Sequence, residues 1–169
     1  MKTWRPALFG AWLGATAACA GYAVLDPGAG AGRRLALPPA ANESSWIGLE
    51  VPLTRALRAD AQRLLDVELA APPAGLELRT RLIDPTRYGR VGLRGGAYAL
   101  GSAEVQVAWE LRDAGGRVLL SGLESRELEF VTALEETDRA AYEQIFQSIA
   151  EKIILDVAAW LGSADAAAA

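Results

Sequence analysis

The chain has 169 residues, enough for one domain with one buried core. Its 17 basic and 21 acidic side chains give a net charge of −4, without the basic excess of a general nucleic-acid binder. It has no histidine and a single cysteine, Cys19, which removes histidine-based triads, histidine zinc sites and any disulfide within the chain.

The first residues, MKTWRPALFGAWLGATAACAGY, carry a short basic start at Lys2 and Arg5, a modest apolar run over residues 7–15, and small residues before Cys19. This order is that of a secretory signal peptide over residues 1–18, too short to remain as a membrane span. Small residues leading into a lone cysteine also resemble the lipobox of bacterial lipoproteins. Thr16 occupies the place where that motif usually has leucine, and Leu13 lies three residues further upstream. Acylation of Cys19 is therefore one reading, and ordinary cleavage near Ala18 with a free thiol is the other. Several acyl chains hold a protein stably on a bilayer where one does not. Ala20 follows the cysteine, where aspartate commonly retains lipoproteins in the inner membrane, so the expected destination is the outer membrane.

Residues 19–33 read as a lipidated start and a Gly/Ala-rich flexible tether. A short strand is predicted from Arg33, closed by Pro38 and Pro39, and followed by the polar loop Asn42-Glu43-Ser44-Ser45. The first helix is predicted over residues 52–65. Leu53, Leu57, Ala61, Leu64 and Leu65 recur at helical spacing, with Arg55, Arg58, Asp60 and Arg63 pointing elsewhere. Pro52 suits a first helical turn, and Pro72 and Pro73 prevent continuation.

Leu76, Leu78 and Leu82 alternate with Glu77, Arg79 and Arg81, which predicts a half-buried strand ending near Asp84-Pro85. Residues 86–96, rich in glycine and arginine, read as a loop or a distorted hairpin connection. Ala103, Val105, Val107, Trp109 and Leu111 share one face of the clearest strand, with Glu104, Gln106 and Glu110 opposite. Asp113-Ala114-Gly115-Gly116 is a turn, and a return strand runs from Val118 towards Phe130, with an irregularity at Gly122. The last helix is predicted over residues 138–161. Its stripe is Ala141, Ile145, Ile149, Ile153, Val157 and Leu161, widened by Phe146, Ile154 and Trp160. Residues 163–169 form a low-complexity tail expected to be disordered.

These elements predict an α+β two-layer sandwich, with two helices on one face of a four-stranded mixed sheet and a single domain over residues 34–162. Five arginines, Arg79, Arg81, Arg87, Arg90 and Arg94, fall within sixteen residues whose only acid is Asp84. Guanidinium groups grip phosphate through paired donors, so this stretch is the candidate contact for a phosphorylated lipid. Docking against an acidic partner or plain solvation are the competing readings. Gly89, Gly92, Gly95 and Gly96 have no strand–GxxxxGK–helix context, so a nucleotide loop is rejected. Glu127, Glu129, Glu135 and Glu136 read as solvated charges rather than an acid–base pair. Trp46 is the aromatic most open to a binding role.

Cys19-Ala20-Gly21-Tyr22 resembles the start of mature LPS-assembly lipoproteins of the LptE family. The similarity continues through Leu35-Ala36-Leu37-Pro38, Asn42-Glu43-Ser44, Gly48-Leu49-Glu50 and Leu53-Thr54-Arg55-Ala56-Leu57, and into Ala74-Gly75-Leu76-Glu77-Leu78. At Ala74-Gly75 an alanine-aspartate pair is common in the family, a local departure. The resemblance implies an outer-membrane lipoprotein without catalysis or cofactor. It would plug and help assemble the LptD barrel of the lipopolysaccharide translocon, and it could bind lipopolysaccharide directly. The alternative is another outer-membrane accessory lipoprotein with a different envelope partner.

Overall fold

The computed structural model describes residues 28–92, 98–131 and 137–168. Cys19 and the proposed signal peptide lie outside them, as does Arg94. Six strands and two helices follow the order β1 (Arg33–Ala36), β2 (Ala41–Asn42), α1 (Glu50–Leu64), β3 (Val67–Ala70), β4 (Leu76–Gly92), β5 (Tyr98–Asp113), β6 (Val118–Val131) and α2 (Thr137–Ala168).

The sheet is mixed, in the order β3-β1-β4-β5-β6, with β2 paired to β4. β1 lies parallel to β3 and β4, and β2 parallel to β4, while β4, β5 and β6 form an antiparallel meander. The two-layer α+β architecture is as expected, but among the described residues the sheet has six strands rather than four. The two missed strands have four and two residues, too short to display an alternating pattern.

Of the two readings of residues 86–96, the distorted hairpin holds as far as Gly92. β4 continues through Asp84-Pro85 to Gly92, paired with β5. Pairing with β2 ends at Leu82, and the register with β5 shifts between Ile83 and Thr86. Pro85 thus sits at a bulge on a free edge, where a missing backbone donor breaks no ladder.

The helices cover one face of the sheet. Leu78, Leu82, Val105, Val107 and Leu111 are fully buried beneath Leu53, Leu57, Phe146, Ile149, Ile153 and Leu161. The stripe predicted for the last helix is buried throughout, and Trp160 packs partly against the core. Trp109 is buried as well, and its indole lies across from Gly122. A Cβ at Gly122 would stand 2.8 Å from three atoms of that ring, so Gly122 makes room for the tryptophan. The irregularity expected there is absent, and the register with β5 shifts instead between Leu111 and Arg112.

One charged residue joins the covered face. Asp60, expected to point away, is 1% exposed between the helices. Its Oδ1 accepts from Arg63 Nη2 at 2.8 Å and Nε at 3.2 Å, and its Oδ2 accepts from Gln147 Nε2 at 3.0 Å. Three donated hydrogen bonds make this burial tolerable.

Two expected boundaries move outward. Residues 28–33, read as the end of a tether, belong to the fold. Ala29 is buried, its carbonyl accepts the Asp66 N–H at 3.1 Å, and Gly30 packs under Val67 and Leu161 with φ +88°. At the other end, α2 does not give way to a disordered tail at residue 163 but continues to Ala168. Alanine is the best intrinsic helix former, so an alanine-rich end extends a helix already nucleated by packing.

Candidate functional site

The face of the sheet turned away from the helices is open and polar. The period of two that buries Val105, Val107 and Trp109 sends Glu104, Gln106, Ala108, Glu110 and Arg112 outward. On β4 the outward residues are Glu77, Arg79 and Arg81. Register places Glu77 opposite Arg112 and Arg79 opposite Glu110, so unlike charges face each other across the strands.

A shallow depression of about 260 Å³ lies here, lined by Ala41, Arg79, Arg81, Ala108, Glu110 and Arg112. Each guanidinium has a carboxylate partner. Arg79 Nε stands 3.0 Å from Glu77 Oε1, Arg81 Nη1 3.3 Å from Glu43 Oε1, and Arg112 Nη2 2.5 Å from Glu110 Oε2. The Glu77 hydrogen bond and charge raise the Arg79 pKa above its already high value. Three arginines and three glutamates therefore make a balanced ladder rather than a bare cation cluster. Arg79 and Arg81 are 56% and 53% exposed, so an incoming anion could exchange with the glutamates at little cost.

Of the five arginines grouped by sequence, Arg94 falls outside the described residues. Arg79 and Arg81 share the open face, but Arg87 and Arg90 lie further along β4, beyond the bulge. Eleven residues of strand separate Arg79 from Arg90, about 35 Å at the usual rise. The third arginine at the depression is Arg112, which sequence reasoning missed. It follows Glu110 by two residues on the same face of β5, but its position beside Arg79 depends on the β4–β5 register.

A second exposed feature lies at the start of α1. Asn42 organises the preceding loop, donating from Nδ2 to the Trp46 carbonyl at 2.8 Å and to Glu50 Oε2 at 2.7 Å. Its Oδ1 accepts the Ser44 N–H at 2.9 Å, and Glu50 Oε2 also accepts the Gly48 N–H at 3.1 Å. Bonds from its own backbone N–H and from Asn42 hold the Glu50 carboxyl below its ordinary range. Trp46 leans on Tyr142 of α2 with ring centroids 6.3 Å apart, and Tyr142 stacks on Phe146 at 6.2 Å.

Among the described residues, no group of three or more Cys, Asp or Glu side chains could hold a metal. No described helix is long and apolar enough to cross a membrane. Exposed sheet face, covered core and pinned loop define an α+β two-layer domain with one face of its sheet left open.

The comparisons with known proteins give this class a family. The sequence profile described as LptE, lipopolysaccharide-assembly, matches residues 32–157, and the chain belongs to that family. Solved structures share the fold at low identity. A Chlamydia trachomatis protein described as hypothetical is 10% identical at a TM-score of 0.58, over 76% of this chain and 97% of that one. A Xanthomonas campestris protein is 12% identical at 0.55, over 83% and 91%. A Caulobacter crescentus protein described as a lipoprotein is 19% identical at 0.54, over 75% and 93%. No curated protein matches the sequence.

Proposed function

We propose that this chain is the lipid-anchored component of an outer-membrane lipopolysaccharide translocon, seated in and helping to assemble an LptD-like barrel, with Cys19 as its acylated residue. The observation that carries this reading is the family match across residues 32–157, which spans the whole sheet and most of α2. The fold agrees with a role in binding: one sheet face is given to the core and the other is free for contact. The protein works without catalysis, as a plug and an assembly factor.

Within this reading the open face meets lipopolysaccharide through Arg79, Arg81 and Arg112. Their carboxylate partners keep the face neutral until a phosphate displaces them. Arg87 and Arg90, further along β4, belong to a separate contact. Depleting the protein should stop lipopolysaccharide reaching the cell surface and lower the amount of assembled barrel. Normal surface lipopolysaccharide after depletion would remove the translocon reading. A Cys19→Ser variant should leave the membrane fraction, and globomycin should make the uncleaved precursor accumulate.

A further inference from the structure

We propose that the tip formed by Trp46, Ile47 and Val51, with the adjoining groove on α1 that carries Arg55, docks a protein segment offering apolar side chains beside a carboxylate. This rests on the reading above, in which the barrel partner supplies that segment.

Exposure is concentrated at this point. Ile47 is 99% exposed, Val51 53% and Trp46 38%, three of the five large apolar side chains left exposed among the described residues, all within six positions. Scattered exposed apolar residues need no explanation, but a cluster at one end of a domain does. The loop that holds them is pinned by Asn42, Ser44 and Glu50, and Trp46 is braced against Tyr142. A side chain already held in place loses little freedom on binding, which favours it as an anchor.

Val51 also lines a groove of about 550 Å³ along α1, with Pro39, Thr54, Arg55 and Arg58. The side chains in it are not equivalent. Thr54 accepts the Ala40 N–H at 2.9 Å, Arg58 donates to the Leu37 carbonyl at 2.8 Å, and Glu50 is engaged by Asn42. Arg55 has no hydrogen bond or ion pair among the described residues. Arg55 also lines a neighbouring furrow, with Pro52 and Ala59. An apolar tip beside an uncommitted guanidinium is complementary to an apolar segment that carries an acid.

A bilayer surface fits less well. Membrane-binding segments gather several basic residues, whereas this patch has one free arginine and is flanked by Glu43 and Glu50. The described chain also enters the fold at Ala29, whose carbonyl accepts the Asp66 N–H just after the end of α1. The tip lies at the start of α1, about 22 Å along its fifteen residues from the end that Ala29 meets.

The test uses the full-length lipoprotein, co-expressed with the LptD-like barrel of the same bacterium and recovered in detergent. Ile47→Asp and Arg55→Glu should each lower barrel recovery about tenfold or more. Their melting temperatures should match the parent, and Val118→Asp, a second exposed apolar site, should recover the barrel normally. Equal recovery by all variants would overturn the proposal while leaving the translocon reading intact. Retained barrel recovery with loss of binding to anionic vesicles would overturn it in favour of a membrane surface. Failure of the parent protein to recover any barrel would overturn both readings together.

Discussion

The two faces of the same sheet carry opposite chemistry. On β5, Val105, Val107, Trp109 and Leu111 are buried under the helices, and Glu104, Gln106, Glu110 and Arg112 alternate with them on the open side. Covered residues are held by many contacts, so changing one alters stability. Open-face residues are held by exposed ion pairs, which contribute little to folding. Stability and binding are therefore separable by substitution, residue by residue along a single strand.

The largest effect should come from the covered face. Phe146→Ala empties a fully buried position and should cost about 3–5 kcal/mol in urea unfolding. Asp60→Ala should cost about 2 kcal/mol, because Gln147 and Arg63 lose their acceptor between the helices. A smaller cost would mean that water reaches the gap. Gly122→Val should cost about 1–3 kcal/mol, since the added atoms meet the Trp109 ring, and tryptophan fluorescence should report its displacement.

On the open face the comparison reverses. Arg79→Gln with Arg81→Gln should leave the unfolding midpoint unchanged and weaken binding to lipopolysaccharide micelles. A shifted midpoint with intact binding would make the ladder structural. The smallest effect concerns acid. The folded pKa values of Glu50 and Asp113 lie below their ordinary 4.5 and 3.8. For Glu50 the cause is bonding to its own N–H and to Asn42, and for Asp113 bonding from the Arg117 N–H. A depressed carboxylate contributes stability above its ordinary value and loses it as pH falls through the lower folded one. Mild acid near pH 6 should leave the Asn42 loop intact, and loosening should appear only well below pH 4.5, seen as a shift of the Trp46 indole resonance. Glu50→Gln should flatten that shift.

Much of the covered face was legible because burial imposes a period. The α2 stripe and the alternation of β5 could be read position by position. Asp60 was not legible, because a lone acid among apolar positions has the signature of a solvated one until Gln147 is placed beside it. The arginine stretch has a related limit: local pattern names the residues but not their spacing, and a strand sets Arg87 and Arg90 further along a line from Arg79 and Arg81.

What the sequence determined by itself is the layer plan: two helices with one apolar face each, and strands that must bury one side against them. Those follow from local periodicity, which each segment carries alone. The tertiary structure decided which outward residues meet. Arg112 came beside Arg79 through strand register, Asp60 came between two helices through their packing, and Trp46 came to rest on Tyr142 across nearly a hundred residues of chain. Pairings of that kind depend on where distant segments are laid against each other, which is set by the packing of the whole core.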